Sequence, residues 1–363
     1  RHTLKVSCKN NKPKVSNFYT ISYIFDKRTN STFGMVKKNI AVVMGGFSSE
    51  FEISLNSGNV VCESLDQTVY NIFPVHILQE GWFYVSENGS KSPIDKDDFS
   101  FKVAGAKVVP DAVFNTVHGT PGEDGLLQAY WKLIGIPQTS SSVYASALSF
   151  NKRDCLSVLK GFGVKCANSY YINKGVPYNL DEMVKKVGLP CFVKPNRAGS
   201  SYGISKVKNT DEFEAALQKA FTEDHEVLVE TALLGTEVSV GAYAINGEIT
   251  VLPPTEIVSE NEFFDFEAKY LGQSEEITPA RISEEITQRV QAETKRIYEL
   301  LNMKGVTRCE FIIQEGEPYF IEINATPGLS KESIIPKQVR EANMTLTQFF
   351  GMLIEESLAA PQK

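Results

Sequence analysis

Residues 308–328, with the sequence RCEFIIQEGEPYFIEINATPG, restrict the possible folds of this chain more than any other stretch. Two segments rich in aromatic and β-branched residues flank EGE, a pattern that predicts two strands joined by a tight hairpin loop containing Gly316. If the loop has three residues, Gln314 faces Pro318. That pairing sets the register of the hairpin and therefore decides which side chains share a face.

The predicted register places two carboxylates directly opposite each other. Glu310 would face Glu322 and Arg308 would face Asn324, with all four side chains on one face because side chains alternate along a strand. Like charges on directly opposed residues, with Cβ atoms roughly 5 Å apart, repel each other. Two carboxylates and an amide oxygen at that spacing suit Mg²⁺, which also takes phosphate oxygens and water as ligands. A solvent-exposed acidic face is the alternative, because a register error of one residue would scatter the group.

Charge is unevenly distributed along the chain. The 363 residues have a net charge of −7, whereas residues 1–34 hold seven Lys or Arg and one Asp. Residues 35–363 therefore carry −13, and such an acidic body argues against nucleic acid as a partner. We interpret residues 1–34 as a disordered upstream extension that takes no part in the fold. A signal peptide is the alternative, although no small-residue cleavage site follows the apolar run in this segment.

The cysteines indicate a reducing compartment. Six are present, without CxxC spacing and mostly among apolar neighbours. In a chain of this size, that pattern favours free thiols in the cytoplasm over a disulfide framework. No apolar run approaches ~20 residues, so we expect no membrane-spanning helix and no membrane partner.

The chain divides into three units after the extension. Alternating strand and helix signals through residues 35–140 predict a domain with a parallel sheet flanked by helices. NIAVVMGG predicts a buried strand there, and Ser49 and Glu52 have the spacing of a capping box for the next helix. The loops GGFSSE and HGTPGEDG follow strands of this sheet and are expected to line a ligand crevice.

The second and third units combine strands and helices differently. Residues 141–231 open with a helix that ends at Gly163 and continue with two strands around a glycine–serine loop. Residues 232–363 contain several strands, a long helix near 284–303 and the C-terminal hairpin. Runs of strands and helices of this kind are typical of α+β units.

The stretch VKPNRAGSSYGIS is a second candidate for phosphate binding. Lys194 ends a strand, and a loop rich in glycine and serine follows it. Glycines let backbone N–H groups approach phosphate oxygens, and a lysine at the edge adds positive charge. The loop is not a Walker A motif, because GxxxxGK[ST] is absent. A plain flexible hairpin is the alternative.

Other candidate residues have ordinary explanations when they are taken singly. Lys152 near the start of a helix could be a surface charge, and Glu230 and Glu237 could be carboxylates at a sheet edge. His118 could satisfy a turn. Their order along the chain is more specific, because a lysine helix, a lysine–glycine hairpin, a strand ending in Glu and a hairpin with Glu and Glu-x-Asn follow one another.

This order resembles that of the ATP-grasp enzymes, in which two α+β units close on ATP and Mg²⁺. The stretches GGFSSEFEISLNSG, HGTPGEDG, EAKY and EINATPG narrow the resemblance to the D-alanine–D-alanine ligase family, across residues 35–363. The resemblance implies an α/β and α+β architecture, with an N-terminal parallel-sheet, Rossmann-like domain followed by an ATP-grasp fold of two α+β subdomains. It also implies an ADP-forming ligase that joins two D-alanines through an acyl phosphate and supplies peptidoglycan precursors. ATP and two Mg²⁺ ions, with Mn²⁺ as a substitute, would be its cofactors, and a homodimer is expected.

The resemblance further implies roles for single residues, which are grouped here by ligand. ATP would contact Lys152, Lys194, Ser200, Ser201, Glu230, Leu233 and Glu237. The two Mg²⁺ ions would be bound by Glu310, Glu322 and Asn324. The first D-alanine would meet Glu50 and His118, and the carboxylate of the second would meet Lys269 and Ser333. Arg308 and the N–H of Gly328 would form the oxyanion site, while Tyr270 would reach Ser200 and Glu50.

Departures from the family pattern leave some details open. Glu310 stands where the family usually has Asp, and Phe264 replaces a tyrosine of some members in the expected closing loop NEFFDFEAKYLGQSEE. Tyr270 favours the dipeptide product, since relatives that make D-alanyl-D-lactate tend to carry Phe. The alternatives are a related ATP-dependent ligase with another acid or nucleophile, including D-lactate, and a non-catalytic ATP-binding regulator.

Overall fold

The computed structural model describes residues 36–259 and 274–360. Residues Lys37–Lys363 form one compact unit, which contains the sheets and helices given below. The extension predicted over residues 1–34 lies outside the described residues, as do Phe264, Lys269 and Tyr270. The domain boundaries near 140 and 231 stay predictions.

The first sheet is built from the segment between residues 38 and 134. Its elements are β1 (Lys38–Gly45), α1 (Phe51–Ser64), β2 (Tyr70–Leu78), β3 (Gly81–Val85), β4 (Lys91–Pro93), β5 (Phe101–Val103), β6 (Ala106–Val108), β7 (Ala112–Asn115) and α2 (Leu126–Ile134). The strand order is β4-β3-β2-β1-β7, with β5 and β6 paired separately. Strand β1 pairs in parallel with β2 and β7, which confirms the predicted parallel sheet at its centre. Strands β3 and β4 add an antiparallel edge that the sequence did not predict.

Strand β1 shows why NIAVVMGG is continuously apolar. Its residues 40–44 are fully buried. Alternate side chains enter different clusters, with Val42 packed in one that includes Phe350 and Val43 in another that includes Trp131. A strand covered on both faces needs apolar side chains at every position.

Helix α1 begins differently from the prediction. Its N-cap is Glu50, and that side chain makes no cap hydrogen bond. The Ser49 hydroxyl donates instead to Glu223 at 3.4 Å, so the predicted capping box of Ser49 and Glu52 is wrong. The Glu50 carboxylate is directed away from the helix, where it accepts a 2.6 Å hydrogen bond from Ser200.

The second sheet is antiparallel throughout. Its segment contains α3 (Val143–Phe150), α4 (Lys152–Gly161), β8 (Ser169–Asn173), α5 (Leu180–Val187), β9 (Cys191–Pro195), β10 (Ser205–Val207), α6 (Phe213–Ala220) and β11 (Glu226–Thr231). The strand order is β10-β9-β11-β8. The predicted strands on both sides of the glycine–serine loop are confirmed as β9 and β10.

The helix predicted to end at Gly163 is instead two helices. Asn151 interrupts it with an extended backbone, φ −88° and ψ 97°. The Asn151 side chain then accepts a hydrogen bond from the backbone N–H of Asp154 at 3.1 Å, which satisfies one of the unpaired donors at a helix start. Lys152 is thereby the first residue of α4, which ends at Gly161.

The third sheet is also antiparallel and contains the C-terminal hairpin. Its segment contains β12 (Thr236–Ile245), β13 (Glu248–Val251), β14 (Thr255–Ser259), β15 (Ser274–Ile277), α7 (Glu284–Leu300), β16 (Thr307–Gln314), β17 (Glu317–Asn324), α8 (Ile334–Glu341) and α9 (Leu346–Ala359). The strand order is β15-β14-β12-β16-β17, and β13 extends the pairing of β12. The long helix predicted near 284–303 is confirmed as α7, which ends at Leu300.

The hairpin has the predicted pairing of Glu310 with Glu322, but its turn and its ladder differ from the prediction. Glu315 and Gly316 both have positive φ, 54° and 77°, as a two-residue type I′ turn requires. Gln314 therefore faces Glu317, and the predicted three-residue loop is wrong. A bulge then leaves Ile321 without a partner in the ladder, which brings the next residue of β17 back into the predicted register.

No helix within the described ranges combines the length and apolar character needed to cross a membrane.

Candidate active site

Two clefts meet at the C-terminal hairpin. The first is a cavity of about 260 Å³ whose lining includes Glu50, His118, Ser200, Arg308, Glu322, Asn324, Gly328 and Ser333. The second is a cleft of about 480 Å³ whose lining includes Lys194, Ser201, Glu230, Leu233, Glu237, Glu310 and Glu322. Glu322 lines both, so the carboxylate pair lies at the border between them. Lys269 and Tyr270 lie outside the described residues.

Opposed carboxylates and two cations meet at this border. Glu310 pairs with Glu322 across the hairpin, and Arg308 with Asn324. Arg308 Nη2 donates to Glu310 Oε1 at 2.6 Å. Glu310 is only 4% exposed, so a solvent-exposed acidic face does not explain this charge. A buried carboxylate needs a cationic or hydrogen-bonding partner to offset its desolvation.

The border suits a cation that arrives with phosphate. Within the described residues, no three or more His, Cys, Asp or Glu side chains are grouped to hold a metal ion by themselves. Mg²⁺ usually takes only one or two protein carboxylates and completes its shell with phosphate oxygens and water. Glu310 and Glu322, with the neighbouring amide of Asn324, fit this donor set.

Lys152 is held against the border by α4. Its Nζ lies 3.0 Å from Glu322 Oε2 and donates to the carbonyl of Ala198 at 2.7 Å. Burial lowers the pKa of Lys152, but the carboxylates of Glu322, Glu123 and Glu50 outweigh it, so the pKa lies above its usual value. Lys152 therefore keeps a positive charge at the border of the two clefts.

The second lysine lies on β9. Lys194 forms an ion pair with Glu230 of β11, and both side chains are at least nine-tenths buried. Phe192, Ile312 and Ile321 contribute apolar surface to the same cleft. A cleft with apolar walls and a buried cation at one end suits a flat ring joined to an anionic chain.

The glycine–serine loop closes onto Glu50. Ser200 and Ser201 both have positive φ, 49° and 61°, a region that non-glycine residues seldom occupy and that is frequent in ligand clamps. Gly199 approaches the Glu50 carboxylate so closely that a Cβ there would lie 2.6 Å from both oxygens. A side chain at this position would displace the Glu50 carboxylate, so glycine allows the 2.6 Å hydrogen bond from Ser200 to Glu50.

His118 lies buried beside this loop. Its Nε2 is 3.2 Å from the hydroxyl of Ser57. Burial lowers the pKa of His118 to about 4, and the nearby charge of Arg308 acts in the same direction. His118 is therefore neutral near pH 7, and acts as a hydrogen-bonding group and not as a cation.

Glu123 is a site residue that sequence reasoning did not single out. Its Oε1 accepts hydrogen bonds from the backbone N–H groups of Ala325 and Thr326 at 3.1 and 3.2 Å, and its Oε2 accepts from Gly119 at 3.1 Å. Burial, with the charge of Glu50, raises the pKa of Glu123 to about 7. Glu123 ties the loop of His118 to the end of β17. An acid inside the glycine-rich HGTPGEDG stretch was the available signal.

The opposite end of the first cavity is formed at the start of α8. Ser333 is the N-cap of α8, and its hydroxyl is 2.7 Å from that of Ser330. A Cβ at Gly328 would lie 3.0 Å from the Ser333 hydroxyl. Glu276 also lines this cavity and pairs with Lys337 at 3.0 Å, two residues that the sequence analysis missed.

Two sheets with a nucleotide-sized cleft between them, two buried lysines and an opposed carboxylate pair define an ATP-grasp fold. Family models described as D-ala D-ala ligase N-terminus and D-ala D-ala ligase C-terminus match residues 39–141 and 159–355. The chain belongs to the D-alanine–D-alanine ligase family.

Individual relatives agree with this membership. The D-alanine–D-alanine ligase of Flavobacterium johnsoniae is 60% identical over 322 residues, 89% of this chain and 100% of the relative. Among solved structures, the VanG D-Ala:D-Ser ligase of Enterococcus faecalis is 30% identical with a TM-score of 0.78, over 89% of this chain and 100% of that one. The D-alanine–D-alanine ligase of Bacillus anthracis complexed with ATP is 27% identical with a TM-score of 0.71, over 88% and 97%.

Proposed function

We propose that the protein joins two D-alanines at the expense of ATP, releasing D-alanyl-D-alanine, ADP and phosphate. The observation that supports this most directly is the meeting of the two clefts at Glu322. A reaction that moves a phosphoryl group from a nucleotide to a small acid needs the two substrates to meet at one point. The family membership gives the acid and the amine.

ATP would occupy the larger cleft. Its adenine would lie between the apolar side chains, near Glu230 and the backbone through Leu233, and its ribose would meet Glu237. Lys194 and Lys152 would hold the phosphates under Ser200 and Ser201. Phosphoryl transfer depends mainly on positioning and on charge neutralisation, which these side chains supply.

Mg²⁺ would be held by Glu310, Glu322 and Asn324, and when bound it would neutralise negative charge on the phosphates. Two cationic side chains position these carboxylates. Arg308 and Lys152 hold the two carboxylates in place through contacts of 2.6 and 3.0 Å. Both cations would then remain close to the transferred group.

The first D-alanine would place its ammonium near Glu50. The Ser200 hydroxyl orients that carboxylate, and neutral His118 lies on the same wall. The D-alanine carboxylate would then point to the border, where it becomes an acyl phosphate. Activation is needed because a free carboxylate is a poor acyl donor.

The second D-alanine would enter from the Ser333 end, with Lys269 and Ser333 on its carboxylate. Its amine would attack the acyl phosphate, and negative charge would develop on the carbonyl oxygen. Arg308 and the N–H of Gly328 line that part of the cavity. Donors aimed at a developing oxyanion are worth several kcal/mol in such sites.

The product would serve peptidoglycan precursor synthesis, and we place the reaction in the cytoplasm. The cysteines of the described ranges, Cys62, Cys155, Cys166, Cys191 and Cys309, are free thiols, which is compatible with a reducing compartment. The homodimer stays a prediction.

A second candidate differs only in the second substrate. The VanG relative is a D-Ala:D-Ser ligase, with 30% identity over 89% of this chain. The test measures ADP and phosphate release with D-alanine alone, and with D-alanine plus D-serine, D-lactate, L-alanine or glycine. Mass spectrometry identifies the product.

We expect turnover that depends on D-alanine, with D-alanyl-D-alanine as the main product. A main product of D-alanyl-D-serine or D-alanyl-D-lactate would assign the second candidate instead. ATP hydrolysis at a rate independent of D-alanine would contradict the ligase function. Tight ATP binding without any turnover would also contradict it, and would favour a non-catalytic ATP-binding regulator.

A further inference from the structure

A buried asparagine lies directly after β9, at the start of the glycine–serine loop. Asn196 is 1% exposed. Its side-chain Oδ1 accepts a hydrogen bond from the backbone N–H of Arg153 at 2.8 Å. Its Nδ2 donates to Asn151 Oδ1 at 2.8 Å and to Glu226 Oε2 at 2.9 Å. Every polar atom of this side chain is therefore used.

The backbone of the same residue adds two more connections. Its carbonyl accepts from the N–H of Lys152 at 3.2 Å, and its N–H donates to the carbonyl of Glu226 at 2.9 Å. One residue thus joins the first turn of α4 to β9 and β11. Lys152 begins α4 and Lys194 lies two residues before Asn196, so both phosphate lysines depend on this junction for their spacing.

The junction needs an amide and not a carboxylate. Two of the groups around Asn196 are acceptors, the Glu226 carboxylate and the Asn151 oxygen, and both require a donor. An aspartate of the same shape would still accept from Arg153. It would, however, turn an oxygen towards both of those acceptors, so each would lose the donor that Asn196 supplies and would face a negative charge instead.

Asn151 gives the matched comparison. Its Oδ1 accepts from Asn196 and from the N–H of Asp154. An aspartate at residue 151 keeps that acceptor and adds a negative charge within hydrogen-bond distance of Asn196. The two asparagines therefore separate loss of the donor from the addition of charge.

We propose that Asn196 is a positioning residue that sets the spacing of Lys152 and Lys194, and through it the affinity of the enzyme for ATP. This inference rests on the proposed function, because it takes the two lysines to be the phosphate ligands. Asn196 itself is buried at the start of the loop and would not contact the nucleotide.

The test compares Asn196→Asp with Asn151→Asp, and uses Asn179→Asp, at the exposed cap of α5, as a control outside the junction. For each variant we measure the KM for ATP, the KM for D-alanine, the melting temperature, and the dissociation constant of the Mg²⁺ complex of AMP-PNP by calorimetry. Asn196→Asp should raise the KM for ATP and the AMP-PNP dissociation constant by about tenfold to a hundredfold, the size expected for losing a hydrogen bond to a charged group. The KM for D-alanine should stay within about twofold, the scale of effects away from a changed site. Asn151→Asp should change all of these values far less.

A double variant checks the cause. In the structure, Arg153 donates to Glu226 Oε1 at 2.8 Å. In Asn196→Asp/Glu226→Gln, the oxygen of the new glutamine can keep this hydrogen bond while its amide donates to the aspartate. We expect this change to restore most of the nucleotide affinity. If Asn196→Asp does not fold, Asn196→Ser, which keeps a small polar group, is measured in its place with the same expected direction.

Three results would overturn the inference. One is a lower melting temperature for Asn196→Asp with an unchanged AMP-PNP dissociation constant, as a purely structural role would give. Another is an equal loss of affinity in Asn151→Asp, and the third is no recovery in the double variant. AMP-PNP binding is measured without turnover, so a wild-type protein that binds AMP-PNP but lacks D-alanine-dependent turnover would instead contradict the proposed function.

Discussion

Lys152 and Glu322 form an ion pair of 3.0 Å at the border between the two clefts. Their side chains are 9% and 17% exposed, so each charge depends on the other for its stability. The pair links the start of α4 to β17, and thus the second sheet to the third. It also brings the Lys152 ammonium and the proposed Mg²⁺ ligand Glu322 to the place where the two substrates would meet.

Glu322→Gln tests the second half of this pair. The neutral amide is a weaker Mg²⁺ ligand, so the Mg²⁺ concentration for half-maximal turnover should rise by about tenfold or more, as for other changes around metal sites. A titration of D-alanine-dependent ADP release with Mg²⁺ measures this. Glu317→Gln, on the exposed part of the same strand, is the control and should leave the titration unchanged. Equal Mg²⁺ requirements in both variants would remove Glu322 from the metal site.

Arg308→Met tests the oxyanion role. Loss of one such donor costs ~3–4 kcal/mol of barrier, which is about 100- to 1,000-fold in turnover. Binding of AMP-PNP should weaken far less than turnover, because Arg308 lines the substrate cavity and reaches the nucleotide cleft indirectly, through its contact with Glu310. Calorimetry measures the binding of AMP-PNP, and single-turnover rates measure the loss of turnover. The control is Arg296→Met on α7, and normal turnover in Arg308→Met would exclude this residue from the chemistry.

The pairing of Glu310 with Glu322 could be predicted from the sequence, although the loop could not. A two-residue turn shifts the ladder by one position, and the bulge at Ile321 shifts it back. The two departures cancel at the carboxylates. Nothing local marks Ile321 as the extra residue, because isoleucine is favoured throughout strands.

Other misses have the same physical origin. Glu123 is bound by backbone N–H groups of Ala325 and Thr326, about two hundred residues away along the chain, so only the fold shows that it is buried. The start of α1 was misplaced because Glu50 is directed to Ser200 and not to its own helix. Local capping rules cannot include a partner from another part of the chain. The roles given to Lys269 and Tyr270 stay predictions.

His118 gives a prediction for stability against pH. Its folded pKa of about 4 lies below the 6.5 of an exposed histidine, so the unfolded chain takes up the proton first. The contribution of His118 is fully present above pH 6.5 and is lost as the pH falls towards 4. The difference in unfolding free energy between wild type and His118→Gln should therefore shrink by on the order of 3 kcal/mol across that window.

Urea unfolding of both proteins at several pH values measures the effect. Glu123, whose pKa is raised to about 7, loses its contribution as the pH rises from 4.5, which is the opposite direction. The histidine effect is therefore taken from the difference between the two proteins at each pH. A difference that stays constant from pH 7 to 4 would show that His118 is not held neutral by burial.

The turn of the hairpin gives a prediction for stability alone. Glu315 has φ 54° and precedes Gly316 at 77°, and asparagine occupies such a position with less strain than glutamate because its short polar side chain bonds locally. Glu315→Asn should raise the unfolding free energy by about 1 kcal/mol, because asparagine avoids much of the cost of the left-handed region. Gly316→Ala should lower it by about 1–2 kcal/mol, since alanine pays the cost of the left-handed region. Both are measured by urea unfolding at pH 7, with Mg²⁺ titrations alongside. Glu315→Asn should leave both the turn and the bulge in place, so the carboxylate pair should be unchanged and the Mg²⁺ requirement should match wild type. A changed requirement would mean that the register of the hairpin has slipped.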